Sequence, residues 1–376
     1  MRKNLFVRSI AAVSGIVMLA SLAACGDNTS SAGNNSGSTS TEKITGSFSG
    51  AGATSQQAAE EAWISAYMAA NSGANVTYNP TGSGAGVTTF LSGATAWAGS
   101  DKALSDDEVT QSSDKACANG TTAFDVPVYI SPIAIIFNLK GVSDAGKHIN
   151  LDADTAAKIF DGKIVKWNDP AIANQNKDLT LPDTQITVVH RSDKSGTTQN
   201  FVSYFKDQAP DSWTHELSEN WPDIPGQQSA KGTSGVVTAV KQADGTIGYA
   251  DFSQVGDLGT VAVKVGDSYN EISAEAGSKV IEDSKQDDTV KGDNRIVIKI
   301  NHATEAKGAY PIVLVSYDIV CPAYKDTKQA EFAKAWLTYV TSDEGQKAAQ
   351  DAAGTAPLPS SLKSEITKSI KAIKTK

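Results

Sequence analysis

The chain is poor in the residue types that carry most enzyme chemistry. Its 376 residues include only 4 histidines and 3 cysteines. His148, His190, His215 and His302 are scattered without ligand spacing, so a zinc site has nothing to stand on. There is no Gly-x-Ser-x-Gly elbow, no Walker-type glycine–lysine loop, no His-Glu-x-x-His and no Cys-x-x-Cys pair. Ordinary hydrolase, nucleotide-binding and metal schemes therefore lose their starting points, and neither cofactor nor metal is expected. Positive charge is also in deficit, with 33 Lys and Arg against 42 Asp and Glu for a net charge of −9. No basic cluster interleaves with aromatics, so nucleic acid is not an expected partner. An acidic surface does not exclude small anions, which local dipoles hold.

The composition is otherwise that of a globular chain, 40% hydrophobic and long enough for two domains with their own cores. The first residues stand apart. Arg2, Lys3 and Arg8 precede the apolar run SIAAVSGIVMLASLAA, which is short for a bilayer span and reads as an export signal over residues 1–24. The run ends Leu22-Ala23-Ala24-Cys25-Gly26, which resembles a bacterial lipobox and predicts lipidation of Cys25. The plainer alternative is a simple signal peptide with an incidental cysteine. With Cys25 lipidated, Cys117 and Cys321 remain, and an oxidising compartment allows them to pair or leaves them as thiols. Residues 25–45 are almost wholly Gly, Ser, Thr and Asn, a tether with a reach of roughly 25 Å. The expected location is extracytoplasmic, on the bacterial cell membrane by a lipid anchor.

From there the chain alternates. QQAAEEAWISAYMAAN sets Ala59, Trp63 and Tyr67 on one helical face, NVTYN is strand-like, and Ser105 to Glu108 forms a capping-box helix start. FDVPVYISPIAIIFN and IVLVSYDIVC are apolar extended runs, and KQAEFAKAWLTYVTSDEGQKAAQ is an amphipathic helix. Strands alternating with helices predict an α/β architecture with mostly parallel sheets. Residues 254–298 are polar and give no clear element boundaries.

One pattern occurs three times. Gly50-Ala51-Gly52-Ala53-Thr54-Ser55, Thr81-Gly82-Ser83-Gly84-Ala85-Gly86 and Arg191-Ser192-Asp193-Lys194-Ser195-Gly196-Thr197 each place glycine and hydroxyls at an expected helix start. There the first backbone N–H groups lack partners and the dipole is positive, which favours an anion. Each loop alone reads more readily as a helix cap than as a site, and Lys231 to Gly235 is read as a cap. Three such loops, one with Arg191 as a planar fork for two oxygens, point to an oxyanion pocket. Asp193 stands near enough to orient Arg191, or forms an Asx turn. Asp101, in AGSD, is an acceptor-only group when ionised. It suits an anion that brings a proton, as hydrogen phosphate does and sulfate does not.

Together GAGATS, TGSGAGV, AGSDKALSDDE and HRSDKSGT resemble the phosphate-binding lipoproteins of bacterial high-affinity phosphate ABC transporters, and KIFDGKIVKWNDPAI looks like that family too. The resemblance covers the chain from about residue 46 onward. It implies a periplasmic-binding-protein-like (type II) α/β fold of two lobes, each with a mixed, mostly parallel sheet, joined by a two-strand hinge. Lobe I would be residues 46–130 and 306–376, and lobe II residues 131–305. It implies further that Thr54, Ser55, Ser83, Asp101, Arg191, Ser195, Gly196 and Thr197 bind inorganic phosphate, with Asp193 paired to Arg191. The family commonly carries Phe where this chain has Ser55. The implied partners are ABC permease subunits and, through them, an ATPase. Two rival readings remain: an exported phosphatase or hydrolase with Ser83 or Ser195 as nucleophile, and a surface receptor or adhesin that keeps the fold.

Overall fold

A computed structural model describes residues 44–143 and 146–375. The export signal, Cys25 and the tether up to residue 43 lie outside the described residues. The chain runs β1 (Gly46–Gly52), α1 (Gln57–Ala70), β2 (Ala74–Asn79), α2 (Ser83–Leu91), β3 (Trp97–Ser100), α3 (Asp106–Ser112) and β4 (Phe124–Asn138). It continues β5 (Ile149–Leu151), α4 (Ala153–Phe160), α5 (Pro170–Ala173), β6 (Thr187–Arg191), α6 (Gly196–Gln208), β7 (Gln228–Ala230), α7 (Gly232–Gln242) and β8 (Thr246–Asp251). Then follow β9 (Gly259–Val265), β10 (Ser268–Asn270), α8 (Ala274–Glu282), β11 (Lys285–Gln286), β12 (Ile298–Lys299), β13 (Val313–Val320), α9 (Thr327–Val340), α10 (Asp343–Ala353) and α11 (Lys363–Lys371).

The architecture is α/β, and β4 organises it. Its sequence is apolar on both faces, so it is buried along nearly its whole length, as a central strand must be. From Phe124 to Pro132 it pairs antiparallel with β13; from Ile133 to Asn138 it pairs antiparallel with β8. Proline donates no ladder hydrogen bond, so a central strand tolerates it only at irregularities. Pro127 indeed faces the bulge at Ser316/Tyr317, and Pro132 stands where the partner changes. The strand order β2-β1-β3-β13-β4-β8-β6-β7 results, with β9, β5 and β10 branching from β4.

The first half of β4 belongs to one sheet and the second half to the other, so the two sheets share this strand. One expectation needs correction: the sheets are mixed, but not mostly parallel. β1, β2 and β3 run parallel, as do β6, β7 and β8, but β13 opposes β3 and β4, and β4 opposes β8 and β9. Sequence alternation reports the βα units on the flanks and cannot report the direction of two long strands joined by no local connection.

Large aromatics fill both flanks. Trp63, Trp97, Phe332 and Trp336 pack together under α1 and α9, while Phe160, Phe201, Phe205 and Trp213 pack between α4 and α6. Cys117 and Cys321 are joined by a disulfide, within an apolar cluster that includes Val87, Phe90 and Ile319. Among the described residues no helix is long and apolar enough to cross a membrane.

Candidate functional site

Four helix starts converge beside the ends of β1, β3 and β6. Helices α1, α2 and α7 begin without a side-chain cap, so their first N–H groups are left to another acceptor. Only α6 is capped, by Ser195 Oγ accepting from Thr198 N at 3.2 Å. The capping role considered for Ser195 is therefore real, and it leaves the hydroxyl proton available. Two glycines make the approach of these loops sterically feasible. Gly82 has φ +97°, and a Cβ there would stand 2.5 Å from Asp193 Oδ2. A Cβ on Gly196 would stand 2.8 Å from the Lys102 backbone nitrogen.

Asp101, 2% exposed, lies at the centre. Ser55 Oγ and Thr197 Oγ1 donate to its Oδ2 at 2.6 and 2.7 Å, and Ser316 Oγ donates to its Oδ1 at 2.8 Å. Ser83 Oγ accepts from the Asp101 backbone N–H at 3.3 Å, and Asn200 Nδ2 donates to the Asp101 carbonyl at 2.6 Å. Burial pushes the Asp101 carboxyl above its ordinary range, while the three hydroxyls and the Arg191 charge pull the other way. Ser55 has a role that an aromatic could not fill, since its hydroxyl is one of the three donors.

Arg191, 3% exposed, comes from the end of β6. Its Nε and Nη2 donate to Asp193 Oδ1 and Oδ2 at 2.8 and 2.6 Å, leaving Nη1 without a protein acceptor among the described residues. Asp193 also accepts from the Gly232 N–H at 3.0 Å. The guanidinium and this N–H overcome burial and hold the Asp193 carboxyl below its ordinary value. The arrangement is a fixed cation with one edge free.

The loop from Lys231 to Gly235, read as a simple cap, belongs here. Thr54 Oγ1 is 2.9 Å from Thr233 Oγ1 and accepts from the Thr233 N–H at 3.0 Å. Gln254 Nε2 donates to the Thr54 carbonyl at 2.9 Å, and Tyr249 Oη lies 2.7 Å from Thr198 Oγ1. Sequence reasoning also missed Ser316. Its signal was a serine and an aspartate at alternate positions of the otherwise apolar run IVLVSYDIV, which puts two polar side chains on one strand face. Thus Thr54, Ser55, Ser83, Asp101, Thr197 and Ser316 gather directly, with Arg191, Asp193, Ser195 and Gly196 at their edge.

The fold is of the α/β, periplasmic-binding-protein-like class, with the candidate site where the loop ends meet. Residues 37–344 match the family model described as PBP superfamily domain. Phosphate-binding protein PstS2 of Mycobacterium bovis (strain BCG / Pasteur 1173P2) is 36% identical over 383 residues, covering 98% of this chain and 99% of that protein. Phosphate-binding protein PstS3 of the same organism is 34% identical over 364 residues, covering 94% and 95%. A solved structure of a high affinity periplasmic phosphate-binding protein (PfluDING) bound with phosphate at pH 8.5 superposes with TM-score 0.69 at 21% identity, covering 86% of this chain and 93% of that one. At that identity the likeness is one of fold. The chain belongs to the PBP superfamily and, within it, to the family of phosphate-binding proteins.

Proposed function

We propose that the protein captures inorganic phosphate outside the cytoplasm and delivers it to an ABC permease by closing two lobes over the anion. The observation that carries this reading is Asp101, a buried carboxylate accepting three hydroxyls beside a fixed guanidinium. An ionised carboxylate beside an anion is repulsive unless the ligand supplies a proton, which hydrogen phosphate does. Thr54, Ser83 and Ser195 would hold the other oxygens with hydroxyls, Ser55, Gly196 and Thr197 with backbone N–H groups, and Arg191 with its free edge. No covalent step is involved. Among the described residues no histidine hydrogen-bonds to Ser83 or Ser195, which a serine nucleophile would need.

Lobe I is proposed as residues 46–130 and 306–376, and lobe II as residues 131–305, with β4 one of the crossings. On that division Thr197–Asp101, Asn200–Asp101, Thr54–Thr233 and the Lys102–Glu219 ion pair all join the lobes, and they favour the closed form. The expected anchor at Cys25 and tether would keep the body near the permease and its ATPase. Calorimetric titration of the mature protein with phosphate, sulfate and molybdate tests the reading. Tight phosphate binding with rejection of sulfate supports it, and tight sulfate binding overturns it.

A further inference from the structure

From Asp101 a short buried chain of hydrogen bonds runs through Ser316 to Gln56. Gln56, fully buried at the start of α1, donates from Nε2 to Ser316 Oγ at 2.9 Å and to the Tyr317 carbonyl at 3.1 Å. Tyr78 Oη, which donates to the Ala53 carbonyl at 3.0 Å, lies 3.3 Å from its Oε1. The Tyr317 carbonyl fixes which way the amide faces. Turning it over would press Oε1 against that carbonyl, oxygen to oxygen. Ser316 Oγ therefore receives a proton from Gln56. The only proton it has to give is its own, and Asp101 Oδ1 lies 2.8 Å away to take it.

The consequence reaches the carboxylate. A carboxylate accepts about four hydrogen bonds. Three come to Asp101 from Ser55, Thr197 and Ser316, each used as a donor. One direction is left, and it can serve only a ligand that donates. We propose that Gln56 is a positioning residue: by donating to Ser316 it commits the Ser316 hydroxyl proton to Asp101 and keeps Asp101 an acceptor. The inference rests on the reading of this site as one for hydrogen phosphate, and it adds the device that holds the selecting group in its working state.

An amide suits position 56 better than an acid would. Glu60 and Asp318 lie close behind, both fully buried, with Glu60 Oε2 and Asp318 Oδ1 lacking partners. Trp97 Nε1 donates to Glu60 at 3.1 Å and Trp336 Nε1 to Asp318 at 3.2 Å. A third carboxyl there would compete with Asp101 for the Ser316 proton. The charged and titratable groups around Asp101 are Glu60 of α1, Tyr78 of β2, Tyr129 of β4, Arg191 of β6, Asp251 of β8 and Asp318 of β13. Only Arg191 among them favours the ionised form, so each hydroxyl donor matters.

The test uses the mature protein with Ser316→Ala, Gln56→Met, and both together. Two readouts are taken on samples shown to be folded by circular dichroism. One is the pH titration of the Asp101 carboxyl carbon by NMR without ligand. The other is calorimetry with phosphate and sulfate at about pH 5.5 and about pH 8. Ser316→Ala should move the Asp101 titration upward, weaken phosphate more at the lower pH, and relax rejection of sulfate about tenfold. Gln56→Met should move all three the same way, and the double variant should be no worse than Ser316→Ala. An unmoved Asp101 titration in Gln56→Met, or losses that add in the double variant, overturns the inference. Failure of the parent to bind phosphate would instead sink the functional reading, with the NMR titration still deciding the role of Gln56.

Discussion

Asp193 grips Arg191 by both carboxylate oxygens, Nε to Oδ1 at 2.8 Å and Nη2 to Oδ2 at 2.6 Å, from two residues away on the same loop. The pair is nearly buried, and its geometry is anchored further by the Gly232 N–H. A lysine would keep the charge and lose the fork. Arg191→Lys should therefore weaken phosphate binding ten- to hundredfold, as expected for one lost charge-assisted hydrogen bond. Neither group reads the proton of the ligand, so the phosphate-to-sulfate ratio should stay where it is. Calorimetry with both anions checks this, and a changed ratio would move selectivity onto the arginine loop.

Asp101→Asn gives the complementary outcome. The amide nearly preserves shape but brings an N–H where only acceptors stood. Phosphate should lose its proton acceptor, and sulfate should gain a donor. The ratio of the two affinities should fall by roughly ten- to thousandfold, while total oxyanion binding falls less. A variant that still rejects sulfate like the parent would show that Asp101 does not select.

How much of this could be read from the chain alone depends on how local each signal is. The loops at Thr54, Ser83 and Ser195 were legible because glycine beside hydroxyls at a helix start is a local pattern with a local physical cause. Asp101 was singled out by chemistry, as a carboxylate among candidate anion-binding loops, and it stands at the centre of the candidate site. Thr233 was not, because its loop has the same composition as an ordinary cap and only its approach to Thr54 distinguishes it. Ser316 and Gln56 were hidden for a related reason. Their partners lie on strands far away in sequence, and no spacing rule connects a residue of α1 with one of β13. The antiparallel course of β4 and β13 was missed on the same ground.

The Thr54–Thr233 contact offers a test of the missed loop. Thr233→Val keeps the side-chain shape and removes the hydroxyl next to Thr54. If this contact helps hold the closed form, phosphate affinity should fall about three- to tenfold, the scale of one hydrogen bond. Small-angle scattering should then report a larger radius of gyration at subsaturating phosphate. Unchanged affinity would return this loop to a simple cap.

The Cys117–Cys321 bond closes a loop with a sequence separation of 204. Long loops lose the most unfolded-state entropy on closure, and removing such a bond costs about 2–5 kcal/mol. The Cys117→Ala, Cys321→Ala double variant should melt roughly 3–7 °C below the parent by calorimetry. Denatured, unreduced parent protein should yield no thiol from this pair, and two titrating thiols would contradict the bond.

Asp318 makes a prediction about pH. It is fully buried, and burial pushes its carboxyl from 3.8 up to about 7, against the hydrogen bond from Trp336 Nε1 and the nearby Gln56 amide. Its folded value thus lies above its unfolded one, so the folded chain holds the proton more tightly than the unfolded chain does. The stability from this group is fully present below pH 3.8 and is lost as pH rises through about 7, levelling off above. Glu60 beside it is raised in the same sense by burial and by Asp318. Asparagine at 318 keeps an acceptor for Trp336 Nε1 and carries N–H donors where the neutral acid has its proton. Asp318→Asn should therefore flatten this part of the pH dependence, leaving the variant more stable than the parent at pH 8 relative to their difference at pH 5. Melting temperatures of both proteins across that range check the sign. A parent that gains more than the variant as pH rises would mean that Asp318 is ionised in the fold, held so by a partner stronger than burial.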